Sequence, residues 1–126
     1  MEKVLGIGGF FFRAQDPSGL ARWYADCLGI ELVAQDYGVL GWQQQAGTTV
    51  TSPFKQDSNY FGSADKVWML NFRIRDMGAM VHQLQAKGVR VDVNPAIYPN
   101  GVFARFVDPE GNPVAIWEPQ GVDARE

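Results

Sequence analysis

"FFRAQD" occupies residues 11–16, and "NFRIRD" occupies residues 71–76. Both contain Phe-Arg-x-x-Asp: Phe12, Arg13 and Asp16 recur as Phe72, Arg73 and Asp76 at one constant offset. Upstream of the first copy, residues 5–14 read "LGIGGFFFRA", an extended apolar run that predicts a strand. Downstream comes "DPSG", with Asp16 placed to cap a helix and Pro17 just inside its start. Leu20, Trp23, Tyr24, Cys27 and Leu28 then fall on one stripe of a short helix, which Gly29 stops. Three further runs, "IELVAQ" (30–35), "VLGWQQQ" (39–45) and "TTVTSPF" (48–54), predict three strands.

The second copy repeats the order. "KVWMLNFRIR" (66–75) reads as a strand, and Asp76 caps a helix with the stripe Met77, Met80, Val81 and Leu84, closed by Gly88. "VRVDV" (89–93), "GVFARFVD" (101–108) and "NPVAIWEP" (112–119) predict three more strands. Pro109, Gly111 and Asn112 in "DPEGN" suit a tight reversal between the last two. Matched caps and stops in two tandem units predict an α+β fold of two βαβββ modules. Module one spans 1–54 and module two spans 66–119. A loop, 55–65, joins them within a single domain covering 1–126.

Strand alternation assigns faces. Trp68, Leu70, Phe72 and Ile74 fall on an apolar face expected beneath the helix, and Val114 and Ile116 do likewise on the last strand. The opposite face carries Val67, Met69, Asn71 and Arg73, with Ala115 and Trp117 on the last strand and Phe11 and Arg13 in the first module. A mixed face of aromatics and arginines suits a cup for a small molecule, with the helices on the outside. Phe11, Arg13, Met69, Asn71, Arg73 and Trp117 are therefore the candidate ligand-binding residues. For each of them ordinary packing competes with ligand contact. For Arg13 and Arg73 the competing reading is a salt bridge to Asp16, Asp76 or Glu118. The joining loop reads either as a surface linker with Tyr60 and Phe61 tucked down or as a lid. Tyr98 and Arg105 fall near the cup mouth.

Composition narrows the function. A net charge of −3 with no basic run or stripe argues against nucleic acid. One cysteine, Cys27, forms no internal disulfide and lies on the helix stripe, which fits core packing in a reducing compartment. The opening apolar run is too short and Gly-rich to span a membrane, so a cytoplasmic protein is expected. His82 is the single histidine and falls off the stripe of the second helix, so no Ser-His-Asp set is expected.

The paired βαβββ pattern, "FRAQDPSGLARWYADCLGIELV" and the closing "DPEGNPVAIWEP" resemble the vicinal oxygen chelate superfamily, which includes glyoxalase I, extradiol dioxygenases and bleomycin- and fosfomycin-resistance proteins. The resemblance implies a homodimer. It also implies metal ligands at four inward positions, which fall here on Gly9, Thr51, Met69 and Ala115. Glycine and alanine carry no donor, methionine sulfur is soft, and threonine is a weak neutral oxygen. Glu118 has the opposite strand parity from Ala115. No metal or other cofactor is therefore expected. The expected function is metal-independent binding of an aromatic or amphipathic small molecule, as in the bleomycin-binding members. The alternative is a lyase, isomerase or dioxygenase-type enzyme with acid and base groups from loops (Tyr60, Tyr98 or Glu118) or an unrecognised metal site.

Overall fold

The computed structural model describes residues 1–31, 38 and 41–124. Helix α1 spans Pro17–Leu28. The Asp16 carboxylate accepts from the Gly19 N–H, and Gly29, at φ +71°, closes the last turn by donating to the Ala25 carbonyl. Helix α2 spans Met77–Ala86 and is capped in the same way, by Asp76 accepting from the Ala79 N–H. Both caps were legible because an acidic side chain directly before a helix satisfies N–H groups that have no partner within it.

Strands β1 (Leu70–Arg73), β2 (Asp92–Val93), β3 (Gly101–Val107) and β4 (Pro113–Pro119) form one open sheet in the order β1-β4-β3-β2. β1 and β4 run parallel, while β4–β3 and β3–β2 are antiparallel. The fold is α+β, and the second half forms a complete β-α-β-β-β unit. The "DPEGN" reversal sits where it was predicted: the Asp108 N–H donates to the Asn112 carbonyl and the Gly111 N–H to the Asp108 carbonyl.

The first half departs from its sequence reading. Its helix forms, but the described residues of the runs at 5–14, 39–45 and 48–54 pair into no ladder. The run at 30–35 lies mostly outside the described residues, as do residues 39 and 40. Alternation marks a chain as able to lie on a sheet, but a strand needs a neighbour. Gly6, Gly8 and Gly9 in the first run offer no side chains to pack and lose the most backbone entropy on ordering.

α1 joins α2 on one face of the four-stranded sheet. Leu20, Tyr24 and Cys27 from α1 share a core with Leu84 from α2 and with Phe106, Val114 and Ile116 from the strands. The Gln83 side chain of α2 donates to the Cys27 carbonyl at 2.8 Å. Among the described residues no helix is long and apolar enough to cross a membrane.

The two halves are clasped at the "DPEGN" turn. Asp108 is buried, and its carboxylate accepts from the Tyr24 hydroxyl at 2.7 Å, the Asn112 side chain at 2.7 Å, and the Glu110 and Asn112 N–H groups. Glu110 reaches the start of α1 and accepts from the N–H groups of Gln15 and Asp16. Burial, with the Asp108 carboxylate alongside, pushes the Tyr24 phenol far above its usual range.

Candidate functional site

A cleft of about 400 Å³ opens beside β1, where residues 10–13 run past residues 65–70. Its apolar wall is aromatic. The Phe10 ring sits 5.4 Å from Phe12 and 5.9 Å from Trp68, and Phe11 projects beside them, 93% exposed. A second hollow continues past Arg13 towards Gln15 and Glu110, so Arg13, Lys66 and Asn112 line both.

The structure divides the candidate residues into two groups. Phe11 and Arg13 line the cleft. Met69 is half-buried between two residues that line it, Trp68 and Leu70. Arg73 and Trp117 lie instead on the sheet face turned away from the helices, paired in register. Asn71, expected to face inward, is exposed.

Around Trp117 the mixed face is closed. Trp117 is 3% exposed, stacks on Phe103 at 6.1 Å, and donates its indole N–H to the Asn100 carbonyl. Arg73 donates to the Gln45 carbonyl at 2.8 Å and the Ala46 carbonyl at 3.4 Å, which ties the first half down onto this face. Neither arginine forms the salt bridge weighed for it. Asp16 and Asp76 cap their helices, and Glu118 accepts from the Met77 N–H at 2.8 Å, as its strand parity required.

Sequence reasoning gave little weight to Arg105, which holds the joining loop. Its guanidinium donates to the Tyr60 carbonyl at 2.7 Å, lies 4.6 Å above the Tyr60 ring, and pairs with Asp92 at 3.5 Å. Tyr60 in turn stacks on Phe54. Burial pushes the Tyr60 phenol up, and the Arg105 charge opposes that shift. The alternation of Phe103 and Arg105 along "GVFARFV" was the available signal. Arg105→Ala removes a hydrogen bond, an ion pair and a cation–π contact, and should cost about 1–2 kcal/mol. Amides of residues 55–62 should then exchange roughly tenfold faster with deuterium. Unchanged exchange there would show that the loop is held by its aromatics alone.

The profile of the Glyoxalase-like domain family matches residues 9–117. The chain belongs to the glyoxalase-like family. Solved structures resemble it over nearly its whole length. TnmS3, an antibiotic binding protein from Streptomyces sp. CB03234, is 25% identical, with 95% of this chain and 100% of that chain covered at a TM-score of 0.66. A glyoxylase/bleomycin resistance protein/dioxygenase domain from Frankia sp. EAN1pec is 17% identical over 94% of this chain and 100% of that one, at a TM-score of 0.56; that likeness concerns the fold alone. No curated protein matches the chain.

Metal-using members of the superfamily polarise substrate oxygens through a divalent cation. The residues at the four positions that the sequence resemblance implies do not fit one. Ala115 is wholly buried in β4, in register with Asn71 and Arg105, and offers only a methyl group. Gly9 and Thr51 are exposed, and Met69 has only a thioether. Among the described residues no three His, Cys, Asp or Glu side chains are grouped to hold an ion.

Proposed function

We propose that this glyoxalase-like protein is a metal-independent small-molecule-binding protein, working as a cytoplasmic homodimer on an aromatic or amphipathic ligand. The observation that carries the reading is an aromatic-walled cleft of about 400 Å³ in a chain alignable end to end with an antibiotic binding protein. Pockets for drug-sized molecules begin near this size, and flat rings stack on phenylalanine and tryptophan faces. Exposed apolar side chains at Val4, Leu5 and Ile7 support pairing with a second copy. Two of the acid or base groups weighed from sequence or lining the cleft are engaged elsewhere, Tyr24 with Asp108 and Glu118 with the start of α2. Binding requires neither.

Native mass spectrometry of protein purified without chelators tests this directly, with metal analysis of the same sample. The expected result is a metal-free dimer that retains or takes up a polycyclic aromatic compound. Stoichiometric nickel, zinc, iron or manganese would overturn metal independence, and a monomer at micromolar concentration would overturn the pairing.

A further inference from the structure

The cleft's aromatic wall faces two cations that form no ion pair among the described residues. Arg13 makes no hydrogen bond or ion pair among the described residues, and neither does the ammonium of Lys66. Both line the cleft and the hollow that continues it. Two carboxylates line the same surfaces and keep their charge, Asp65 in the cleft, where the Lys66 charge acts on it, and Glu110 in the hollow, but each accepts from other donors and neither forms an ion pair with Arg13 or Lys66. Glu110 is held by the N–H groups of Gln15 and Asp16, and Asp65 accepts from the Ser63 hydroxyl. Asp108 lies deeper and is saturated by the Tyr24, Asn112 and Glu110 donors. Elsewhere on the chain the arginines that approach the sheet are used up: Arg73 on two carbonyls, and Arg105 on Tyr60 and Asp92.

We infer that the cleft selects an aromatic acid, with the ring system against Phe10, Phe11 and Trp68 and the anionic group between Arg13 and Lys66. This rests on the small-molecule reading above and adds the charge of the ligand. An arginine fork and an ammonium lining one cleft match a carboxylate or sulfonate, because both cations donate and neither accepts. Asn112 lines the same junction.

The test compares two probes that differ in charge but hardly in shape, 2-naphthoate and its neutral amide 2-naphthamide, by isothermal titration calorimetry on the full chain. The wild type should bind the naphthoate at least tenfold more tightly than the amide. Arg13→Gln and Lys66→Met should each reduce that preference, and the double variant should abolish it. Arg22→Gln, on α1 away from the cleft lining, should leave the preference intact. Raising sodium chloride from about 0.05 to 0.5 M should weaken the naphthoate and spare the amide, since screening acts on the charge alone. Circular dichroism confirms that the variants fold. Equal affinities in the wild type would overturn the charge selection and leave the aromatic cleft standing. A preference that survives in the double variant would overturn the roles of Arg13 and Lys66. If neither probe binds at millimolar concentration, the aromatic-binding reading of this cleft falls, and the inference with it.

Discussion

Asp108→Ala should lose about 3–5 kcal/mol of stability, the largest single loss expected from a side chain outside the apolar core. The carboxylate is 3% exposed and accepts from four donors, so its removal strands each of them. The Tyr24 hydroxyl suffers most, because it is buried on α1 and its partner comes from the other half of the chain. A stranded buried donor costs about 1–3 kcal/mol, more than a satisfied bond contributes. Asn at 108 keeps the shape and one carbonyl acceptor, so Asp108→Asn should lose roughly half as much. Urea unfolding at neutral pH, followed by tryptophan fluorescence, reads both. A loss below about 1 kcal/mol for the alanine variant would show that water replaces the carboxylate and that the clasp is not a structural keystone.

Gly101→Ala should cost about 3 kcal/mol, for reasons the backbone supplies. Gly101 opens β3 at φ +134°, where L side chains are strained. A Cβ there would also run into the Glu118 carbonyl of the neighbouring strand and stand 2.9 Å from the indole nitrogen of Trp117. The obstacle is mostly main chain at the end of the β3–β4 ladder, where the strand pairing holds it in place. Gly88 provides the control. Its φ is +82°, but a Cβ added there meets nothing within 4 Å, so Gly88→Ala should cost about 1 kcal/mol. The gap between the two variants measures the close approach separately from the torsional strain. Equal losses would assign the whole effect to torsion.

Local signals carried part of the fold. Asp16 and Asp76, Gly29 and Gly88, and the "DPEGN" reversal act over a few residues, so each could be read where it stands. Strand parity likewise put Glu118 on the side away from Ala115, which is where α2 uses it. What could not be read depends on pairs distant in the chain. Alternation in "GFFFRA" marks a possible strand but does not say whether a neighbour lies beside it. Tyr24 with Asp108, and Arg105 with Tyr60, join segments whose local sequences give no hint of each other. The candidate site divided for the same reason. Phe11 and Arg13 were grouped with Trp117 on the assumption of two matching sheets, and the described structure holds one. Lys66 reads from sequence only as the first residue of a strand, because nothing local to it says that it shares a cleft lining with Arg13.

The bonds from Glu110 to the N–H groups of Gln15 and Asp16 bear on how the chain is made. They join positions 95 and 94 residues apart, and the hydroxyl bond from Tyr24 to Asp108 spans 84. During synthesis, the entry to the first helix has no such anchor until the turn at 108–112 has left the ribosome. An early helix alone is only marginally stable in water. Biogenesis should therefore finish in a late step, and a nascent chain truncated before that turn should remain protease-sensitive along its leading segment.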